Sequence, residues 1–287
     1  MGPLAEASDV ARPPQRLRTR GAGPTAWLRR LWRVPRMIAH LLSGLATVLF
    51  VFPSLDAHAR RVRIRRWSRR LLHLLGIDIR MAGTLGSGRG SVLVVANHVS
   101  WLDIFVLHAV GPVRFIAKAE IVRWPVVGRL VRGVGTLFIE RARRHDTHRV
   151  NQEIARALEG GDIVAVFPEG TTTDGARLLP FKGALLQPIV DAGGDVRPVA
   201  IRYRTPDGRA SVAAAYADDV SFLGSFWRIC GERALVVETI ALDPLPARDR
   251  HRRELAREAE AAIRVALGLT PSGSGPGTRA GPAGESP

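Results

Sequence analysis

The stretch that decides the fold is residues 91–103, with the sequence SVLVVANHVSWLD. Its first six residues are short, apolar and rich in valine, which predicts a buried β-strand over 91–96. Ser100 is a favourable N-cap residue, and a helix is predicted over 101–109. Because a strand, a polar turn and a helix in succession form the repeating unit of α/β proteins, this stretch predicts that fold class.

The same alternation of apolar runs and helical segments continues along the chain. Further strands are predicted over 113–117, 136–140, 162–167, 197–203 and 235–242, and further helices over 120–132, 147–159, 183–192 and 248–267. These elements predict an α/β domain with a mixed, largely parallel sheet flanked by helices. Ligands of such sheets bind beyond the carboxyl ends of the strands, so the residues that follow each strand are the candidates for a site.

The 287 residues divide into four predicted segments. Residues 1–25 and 269–287 are rich in glycine, proline and small polar residues, which predicts disorder, and the first of these segments is basic. Between them we expect membrane-associated helices over 26–76 and the α/β domain over 77–268. The glycine-rich run 83–90 precedes a strand instead of joining a strand to a helix, so it predicts a connector and not a phosphate loop.

Positive charge is concentrated near the N-terminus. Residues 1–80 contain 16 arginines and four acidic residues, which gives +12 of the chain's net charge of +16. The arginines lie on both sides of the most hydrophobic stretch, Met37 to Phe52. Apolar residues with basic flanks are typical of an anionic lipid surface, whereas a nucleic-acid-binding protein spreads its basic residues over the docking face. Membrane lipids are therefore the predicted partner, and no nucleic acid is expected.

The apolar run Met37–Phe52 is shorter than the roughly 20 residues that a spanning helix needs. We therefore expect a helix embedded in one leaflet, followed by a basic amphipathic helix over 57–76, and a single span is the alternative. Cys230 is the only cysteine, which excludes an intrachain disulfide and suits a reducing compartment.

The turn after the first strand of the α/β domain carries the first candidate site. Ser100 and Asp103 by themselves are explained by a helix start, where they can close a capping box. That account leaves His98 unexplained. We predict that Asp103 accepts a hydrogen bond from one imidazole nitrogen and leaves the other nitrogen free as a base. The N–H groups of the helix start could in addition stabilise an oxyanion.

Three further strands carry candidate residues. The run 167–171, FPEGT, brackets Glu169 between proline and glycine, which predicts a tight turn that presents Glu169 to solvent or to a ligand. The run 135–141, GTLFIER, ends a strand in Arg141, although a lone arginine at such a place is more often solvated than functional. Pro198 lies inside a predicted strand and by itself indicates an edge strand.

Together these four blocks resemble the glycerolipid acyltransferases of the 1-acylglycerol-3-phosphate acyltransferase type. His98 and Asp103 match the H-x4-D block of that family, GTLFIER matches its G-x-x-F-I-x-R block, FPEGT its third block, and Pro198 the centre of its fourth. The blocks occur in the family's order, and the resemblance covers roughly residues 36–245. It implies the glycerolipid acyltransferase fold for the α/β domain.

The resemblance also implies a reaction, the transfer of an acyl group from a thioester to the free hydroxyl of a lysolipid. His98 would act as the general base and Asp103 would orient it. The acyl donor would be acyl-CoA or acyl carrier protein, with no cofactor and no metal, at the bacterial inner membrane with the catalytic domain in the cytoplasm. The residues implied in acceptor binding are Arg141, Glu169, Gly170, Thr171 and Lys182.

One position departs from the family pattern. The third block is usually followed by an arginine that helps to hold the acceptor's phosphate, and here Thr172 stands in its place. Arg177 or Lys182 could supply the cation instead, or the acceptor lacks a terminal phosphate. Our first choice of acceptor is 1-acylglycerol-3-phosphate. Because the run 167–182 also resembles a subgroup that acylates lyso-ornithine lipid, that phosphorus-free lipid is the alternative.

Two other functions compete with acyl transfer. A non-catalytic, arginine-rich protein that binds membranes or nucleic acid would explain the charge but not the residues at the strand ends. A lipid hydrolase would use His98 to activate water, but the sequence has no G-x-S-x-G nucleophile elbow. Cys230 has no histidine close to it in sequence and is not expected to act as a nucleophile.

Overall fold

The computed structural model describes residues 24–86, 90–118, 127–133, 136–139, 144–217 and 220–269. The helices of this part are α1 (Pro24–Ala46), α2 (Ala57–Leu74), α3 (Leu102–Val110), α4 (Val127–Gly133), α5 (Arg144–Glu159), α6 (Gln187–Ala192), α7 (Phe222–Gly231) and α8 (Arg252–Leu267). The strands are β1 (Ile77–Ala82), β2 (Val92–Ala96), β3 (Val113–Lys118), β4 (Leu137–Ile139), β5 (Ile163–Val166), β6 (Asp195–Arg204), β7 (Leu235–Ala241) and β8 (Leu245–Pro246). A π-helical turn (Thr47–Val51) and a 3-10 turn (Phe52–Ser54) continue α1, and a second 3-10 turn (Gly183–Leu186) precedes α6.

The strands of the described residues form one mixed sheet in the order β1-β7-β6-β2-β5-β3-β4, with β8 paired to β6. β2 lies in the middle and is parallel to both β5 and β6. β3 and β4 extend the parallel part beyond β5, while β7 is antiparallel to β6 and parallel to β1. The predicted mixed, largely parallel sheet flanked by helices is therefore confirmed.

The central strand β2 is covered by helices on both faces, which explains its unbroken apolar sequence. All five of its residues are buried. Leu93 and Val95 pack in the core on the side of α5, α6 and α8. Val94 and Ala96 pack in the core on the side of α2, α3 and α7, which also includes Met37 of α1. Each fully buried valine or leucine contributes on the order of 1.5–3 kcal/mol.

The sequence missed three elements of the described part, namely β1, α7 and β8. β1 alternates Ile77, Ile79 and Met81 with Asp78 and Arg80, and it lies at the edge of the sheet, so only half of it is apolar. α7 has only ten residues and contains Gly224 and Gly231, which weaken the helical signal in the sequence. β8 has only two residues.

Pro198 lies in an interior strand, and the edge position that it indicated is wrong. It is paired with Val95 of β2, and its carbonyl accepts a hydrogen bond from the N–H of Leu242 at 2.9 Å. β7 begins its pairing with β6 at Val199, and β8 pairs only with Asp195 and Val196. The nitrogen of Pro198 thus faces the gap between β7 and β8, where no ladder hydrogen bond is lost.

The predicted boundary at residue 76 does not separate two packing units. Leu71, Leu72 and Leu75, from α2 and the residue that follows it, are buried in the same core as β2 and α3. The Asp56 carboxylate caps α2 by accepting the N–H of Ala59 at 2.7 Å. Consequently α2 is a structural helix of the α/β domain as well as a basic one.

Several arginines that were expected to face anionic lipid stabilise the fold instead. Arg29 donates to the carbonyl of Gly231 at 2.8 Å, Arg30 to that of Trp227 at 3.0 Å, and Arg33 to that of Glu232 at 2.6 Å. These carbonyls lie in the last turn of α7 or just beyond it, where a helix leaves its acceptors unsatisfied. The N-terminal arginines therefore attach α1 to α7.

The apolar N-terminal helix is longer than the predicted run. The described residues contain one helix long and apolar enough to cross a membrane, Thr25–Ser54, with a mean hydropathy of 1.8 in its most apolar window and 17% of that window buried. By length and composition alone, thirty helical residues extend about 45 Å, more than the thickness of a hydrocarbon core.

We predict that His108 makes the protein acid-sensitive. Its ring lies edge-on to Phe115, and burial lowers the pKa of His108 from 6.5 to about 4, so the folded protein holds it neutral. As the pH falls through 6.5, the unfolded chain binds a proton that the folded chain does not. His108 therefore lowers the free energy of unfolding progressively between pH 6.5 and 4, by about 3 kcal/mol in total.

Thermal unfolding of the detergent-solubilised protein at pH 7 and pH 4.5 measures this effect. The midpoint should fall less in His108→Leu than in the wild type. His73→Leu, which removes an exposed histidine of α2, should keep the wild-type dependence. Equal acid sensitivity of His108→Leu and the wild type would contradict the prediction.

Candidate active site

The structure brings His98 and Asp103 together in the turn between β2 and α3. The Nδ1 atom of His98 lies 2.9 Å from Oδ2 of Asp103. The same oxygen accepts the backbone N–H groups of Val99 at 2.7 Å and Ser100 at 2.9 Å. The carboxylate is fully buried, whereas the imidazole is 19% exposed. The hydrogen bond predicted from the sequence is present.

The hydrogen bonds around Asp103 determine the tautomer of His98. Oδ2 of Asp103 accepts two backbone N–H groups and acts as an acceptor toward His98 as well, so Nδ1 of His98 donates to it. In the neutral imidazole the proton then resides on Nδ1, and Nε2 carries the free lone pair. This is the arrangement that a general base requires.

Tyr203 of β6 holds the other oxygen of Asp103. Its hydroxyl donates to Oδ1 at 2.7 Å, and both groups are buried. Burial and the negative Asp103 raise the pKa of Tyr203 well above 10, so the hydroxyl stays protonated and remains a donor. Tyr203 lies 100 residues after Asp103 in sequence, and nothing in the local pattern marks it, so sequence analysis missed it.

Asn97 joins the turn to the centre of the sheet. Its side-chain amide donates to the carbonyl of Ile201 at 2.9 Å and accepts the N–H of the same residue at 2.7 Å. The pairing of β2 with β6 ends at Ala96, so this amide takes the place of the next peptide group in the ladder. The backbone is thereby free to turn at His98 without leaving Ile201 unsatisfied.

Glu169 does not face solvent, and that expectation is corrected. It is 2% exposed, and its carboxylate accepts the backbone N–H of His98 at 2.7 Å and that of Leu179 at 3.0 Å. Burial raises the pKa of Glu169, while these two donors act in the opposite direction. Glu169 thus fixes the backbone of His98, a contact for which its place in the FPEGT run gave no signal.

Phe167 supports the imidazole from its face. The rings of His98 and Phe167 are stacked with centroids 4.0 Å apart and an angle of 8° between their planes, and Phe115 lies behind Phe167. The carbonyl of His98 accepts the N–H of Thr173 at 2.8 Å. The ring and backbone of His98 are therefore both held by residues of the FPEGT segment.

Gly170 and Lys182 meet at the exposed side of the FPEGT turn. Gly170 has a φ of +77°, which L-residues rarely adopt, and a Cβ atom placed on it would lie 2.7 Å from Nζ of Lys182. Thr171 is also exposed beside Gly170. Of the residues implied in acceptor binding, these three form the accessible surface of this turn.

Thr172, which replaces the usual arginine, is tied to the backbone. Its hydroxyl donates to the carbonyl of Tyr216, and the N–H of Tyr216 donates to the carbonyl of Val99 at 2.9 Å. The side chain of Thr172 therefore stabilises the loop. Arg177 is exposed, and its carbonyl accepts the hydroxyl of Thr173 at 3.2 Å.

The GTLFIER block lies partly outside the described residues. Gly135 and Arg141 are not described, so the implied role of Arg141 in acceptor binding stays a prediction. Residues 137–139 form β4 at the edge of the sheet, next to β3.

The N–H groups at the start of α3 are already engaged. Those of Val99 and Ser100 donate to Asp103, that of Leu102 donates to the Ser100 hydroxyl at 3.3 Å, and that of Asp103 donates to the Ser100 carbonyl at 3.1 Å. The predicted capping box is thus half formed, because the Asp103 carboxylate accepts from Ser100 but the Ser100 hydroxyl takes Leu102. These four donors serve the turn, which argues against the expected oxyanion role for them.

No metal ligand set lies in this part of the molecule. Among the described residues, no group of three or more His, Cys, Asp or Glu side chains could hold a metal ion. In the turn after β2, the groups placed to move a proton are the imidazole of His98 and its carboxylate partner. Such a pair can remove a proton from a hydroxyl and return it to a leaving group.

Comparison with known proteins agrees with this chemistry. The Acyltransferase family model matches residues 78–202. The lyso-ornithine lipid O-acyltransferase of Pseudomonas aeruginosa is 39% identical over 249 residues, which cover 84% of this chain and 95% of that protein. The 1-acyl-sn-glycerol-3-phosphate acyltransferase of Neisseria meningitidis is 39% identical over 202 residues, which cover 69% of this chain and 78% of that protein.

A solved structure shares the fold. The crystal structure of the 1-acyl-sn-glycerophosphate acyltransferase of Thermotoga maritima matches with a TM-score of 0.65 and 22% identity, over 85% of this chain and 95% of that one. At this level of identity the match shows the fold, and it confirms the predicted fold class.

Fold and site together define an enzyme that transfers acyl groups to hydroxyls. The chain belongs to the Acyltransferase family, in which its relatives are O-acyltransferases of lysolipids.

We predict that His98→Ala abolishes acyl transfer in a folded protein. Loss of a general base costs about 10²–10⁴-fold in rate. His98→Gln keeps a polar side chain of similar length without a base and should be equally impaired. Steady-state rates beside thermal midpoints measure both effects, and wild-type turnover by a folded His98→Ala protein would refute the mechanism.

Tyr203→Phe should impair the site through Asp103. Removing one hydrogen bond to a charged group costs about 1.5–3 kcal/mol, so we expect kcat to fall on the order of tenfold or more. The loss should lie in kcat more than in the Michaelis constants, because the buried Tyr203 contacts Asp103. Tyr216→Phe, which keeps both backbone hydrogen bonds of Tyr216, is the control, and an unchanged kcat in Tyr203→Phe would refute a positioning role.

Proposed function

We propose that this chain transfers a fatty acyl group from an acyl thioester to the free hydroxyl of a lysolipid. The observation that carries the proposal is the geometry of His98, whose Nδ1 is bound to the buried Asp103 and whose Nε2 is left as the base. The relatives named above, both O-acyltransferases of lysolipids, support the class of acceptor.

The proposed step moves one proton and one acyl group. Nε2 of His98 takes the proton of the acceptor hydroxyl as its oxygen attacks the thioester carbonyl carbon. The carbon–sulfur bond then breaks, and the thiol leaves with the proton that the imidazolium returns. Asp103 stabilises the imidazolium, and Tyr203 and the backbone donors of Val99 and Ser100 keep Asp103 in place.

Direct transfer without an acyl-enzyme is consistent with the state of the one cysteine. Cys230 is fully buried, and burial raises the pKa of its thiol to about 11. A buried thiol is a poor nucleophile because the thiolate is the reactive form. The donor is acyl-CoA or acyl carrier protein, and the reaction uses no cofactor and no metal.

We propose lyso-ornithine lipid as the acceptor. Thr172 supplies no cation after the FPEGT run, and its hydroxyl is bound to the backbone of Tyr216. The lyso-ornithine lipid O-acyltransferase of Pseudomonas aeruginosa matches this chain over 95% of its own length. Lys182 beside Gly170 offers one cation for an anionic headgroup.

1-Acylglycerol-3-phosphate, the first choice from the sequence, is the second candidate acceptor. The Neisseria relative acts on that class of lipid by its name, at the same 39% identity. Lys182 and Arg177 are both exposed near the turn and could pair with a phosphate.

The protein acts from one face of the bacterial inner membrane, with its α/β domain in the cytoplasm. α1 is attached through Arg29 and Arg33 to the end of α7 and through His40, stacked at 4.6 Å on Trp67 of α2. The π-helical turn that continues α1 is attached through Val48 against Gly133 of α4. These contacts support a helix that stays against the domain. We therefore propose that α1 lies in one leaflet, as expected from the sequence, with a single span as the alternative.

Rates with the two lysolipids, measured on purified protein with one acyl-CoA, test the acceptor. Thr172→Arg should raise the rate with 1-acylglycerol-3-phosphate relative to lyso-ornithine lipid, because a guanidinium can pair with phosphate for roughly 1.5–3 kcal/mol. Thr172→Val removes the same hydroxyl without adding charge and is the matched control.

Lys182→Gln should raise the Michaelis constant for the preferred acceptor more than that for the donor. A wild type that prefers 1-acylglycerol-3-phosphate, and that keeps this preference in Lys182→Gln and Arg177→Gln, would contradict our account of the headgroup site. Absence of transfer to either lysolipid, with hydrolysis of the thioester instead, would favour a hydrolase.

A further inference from the structure

α1 exposes a continuous stripe of large apolar side chains. Its members are 47–80% exposed and recur at spacings that place them along one side of the helix. They are Trp27, Leu28, Leu31, Trp32, Ile38 and Leu42 of α1, with Leu49 and Phe50 of the π-helical turn that continues it. The opposite side of α1 packs on the domain, through Met37 among others.

α7 carries a second exposed apolar surface, formed by Leu223 and Trp227, which we call the α7 face. Leu223 is 74% exposed and Trp227 42% exposed, and a spacing of four residues places them on the same side of the helix. Ile229 and Cys230, on the inner side, are fully buried. A surface helix normally turns polar residues outward, so the outer side of α7 departs from the usual pattern.

The α7 face is continuous with the stripe of α1. The indole of Trp27 lies edge-on to that of Trp227, with centroids 5.8 Å apart. The guanidinium of Arg30 lies 5.0 Å from the Trp227 ring centre. Tryptophan and arginine side by side are typical of the membrane–water interface, where an apolar body and a polar tip are both satisfied.

We propose that α7 is a second bilayer contact, in which Leu223 and Trp227 enter the same leaflet as the stripe of α1. The occupant of the α7 face is lipid because its neighbour on the surface is a helix apolar enough to lie in or cross a bilayer. The α7 face is too small to bind a protein partner by itself, but it extends an existing lipid-facing surface.

α7 is also the part of this surface that borders the catalytic turn. Phe222 of α7 packs on Trp101 with ring centroids 5.2 Å apart, and the indole N–H of Trp101 donates to the Ser225 hydroxyl at 3.3 Å. Trp101 lies three residues after His98 and two before Asp103. Seating α7 in the leaflet therefore places the His98 side of the domain at the lipid surface, so that a lysolipid, if the proposed function holds, enters from the bilayer.

Site-directed spin labelling of the full chain tests the placement of α7. Cys230 is buried with a raised thiol pKa of about 11, so a nitroxide maleimide should react selectively with an introduced cysteine, which the unlabelled wild type verifies. The positions are Leu223→Cys and, as the matched control, Val265→Cys. Val265 is 78% exposed on α8, which packs on the opposite face of the sheet.

Power-saturation measurements in phosphatidylethanolamine–phosphatidylglycerol vesicles report whether each label meets oxygen, which concentrates in lipid, or a water-soluble nickel complex. We expect the label at 223 to favour oxygen, as a label at Leu31→Cys on the stripe of α1 should, and the label at 265 to favour nickel. A label at 223 as accessible to nickel as that at 265 would overturn the proposal. Spin–spin broadening at 223 without a gain in oxygen accessibility would assign the α7 face to a second copy of the chain and would overturn it as well.

An activity measurement connects the contact to the site. Leu223→Gln should lower the rate several-fold with a long-chain lysolipid in vesicles and leave the rate with a short-chain, water-soluble lysolipid unchanged, while Val265→Gln should change neither. An equal loss with both acceptors would overturn the link to lipid entry. The power-saturation measurements do not require turnover. They therefore test the placement of α7 even if the proposed function fails.

Discussion

The buried carboxylate of Asp103 joins the turn after β2 and the start of α3 to the distant strand β6. Its two oxygens accept from the imidazole of His98, from the N–H groups of Val99 and Ser100, and from the hydroxyl of Tyr203 on β6. A buried carboxyl group is costly unless it is hydrogen-bonded, so the turn, the helix start and the strand must stay together for Asp103 to keep its partners. Substitution of Asp103 should therefore affect stability as well as turnover.

A second buried carboxylate, that of Glu169, fixes the backbone of His98, whereas Asp103 fixes its imidazole ring. Glu169 accepts the N–H of His98 and that of Leu179, and Phe167 stacks on the imidazole. The FPEGT segment thus forms one wall of the histidine's environment. An imidazole held from both sides loses little entropy on reaching the transition state, which is how a fixed base contributes to rate.

The layer of helices that includes the apolar N-terminal helix is also the layer that holds the catalytic turn. α1, α2, α3 and α7 contribute to the core on the same side of the sheet, and Arg29, Arg30 and Arg33 attach α1 to the end of α7. Arg65 and Arg69 of α2 donate to the carbonyl of Ala109 at the end of α3. Much of the N-terminal arginine content is therefore used to join helices, because each helix end offers carbonyls that need donors.

The sequence by itself determined the strand–turn–helix unit at 91–110, the mixed sheet, the apolar N-terminal helix and the pairing of His98 with Asp103, since these depend on local periodicity and on residues five apart. The tertiary structure decided what depends on distant partners. Tyr203 meets Asp103 only because β6 lies beside β2, Glu169 is buried only because its turn folds onto His98, and Pro198 is tolerated inside the sheet only because β7 and β8 leave a gap there. A hydrogen bond across 70 or 100 residues leaves no periodic trace in the chain, and for that reason packing and not sequence pattern assigned these roles.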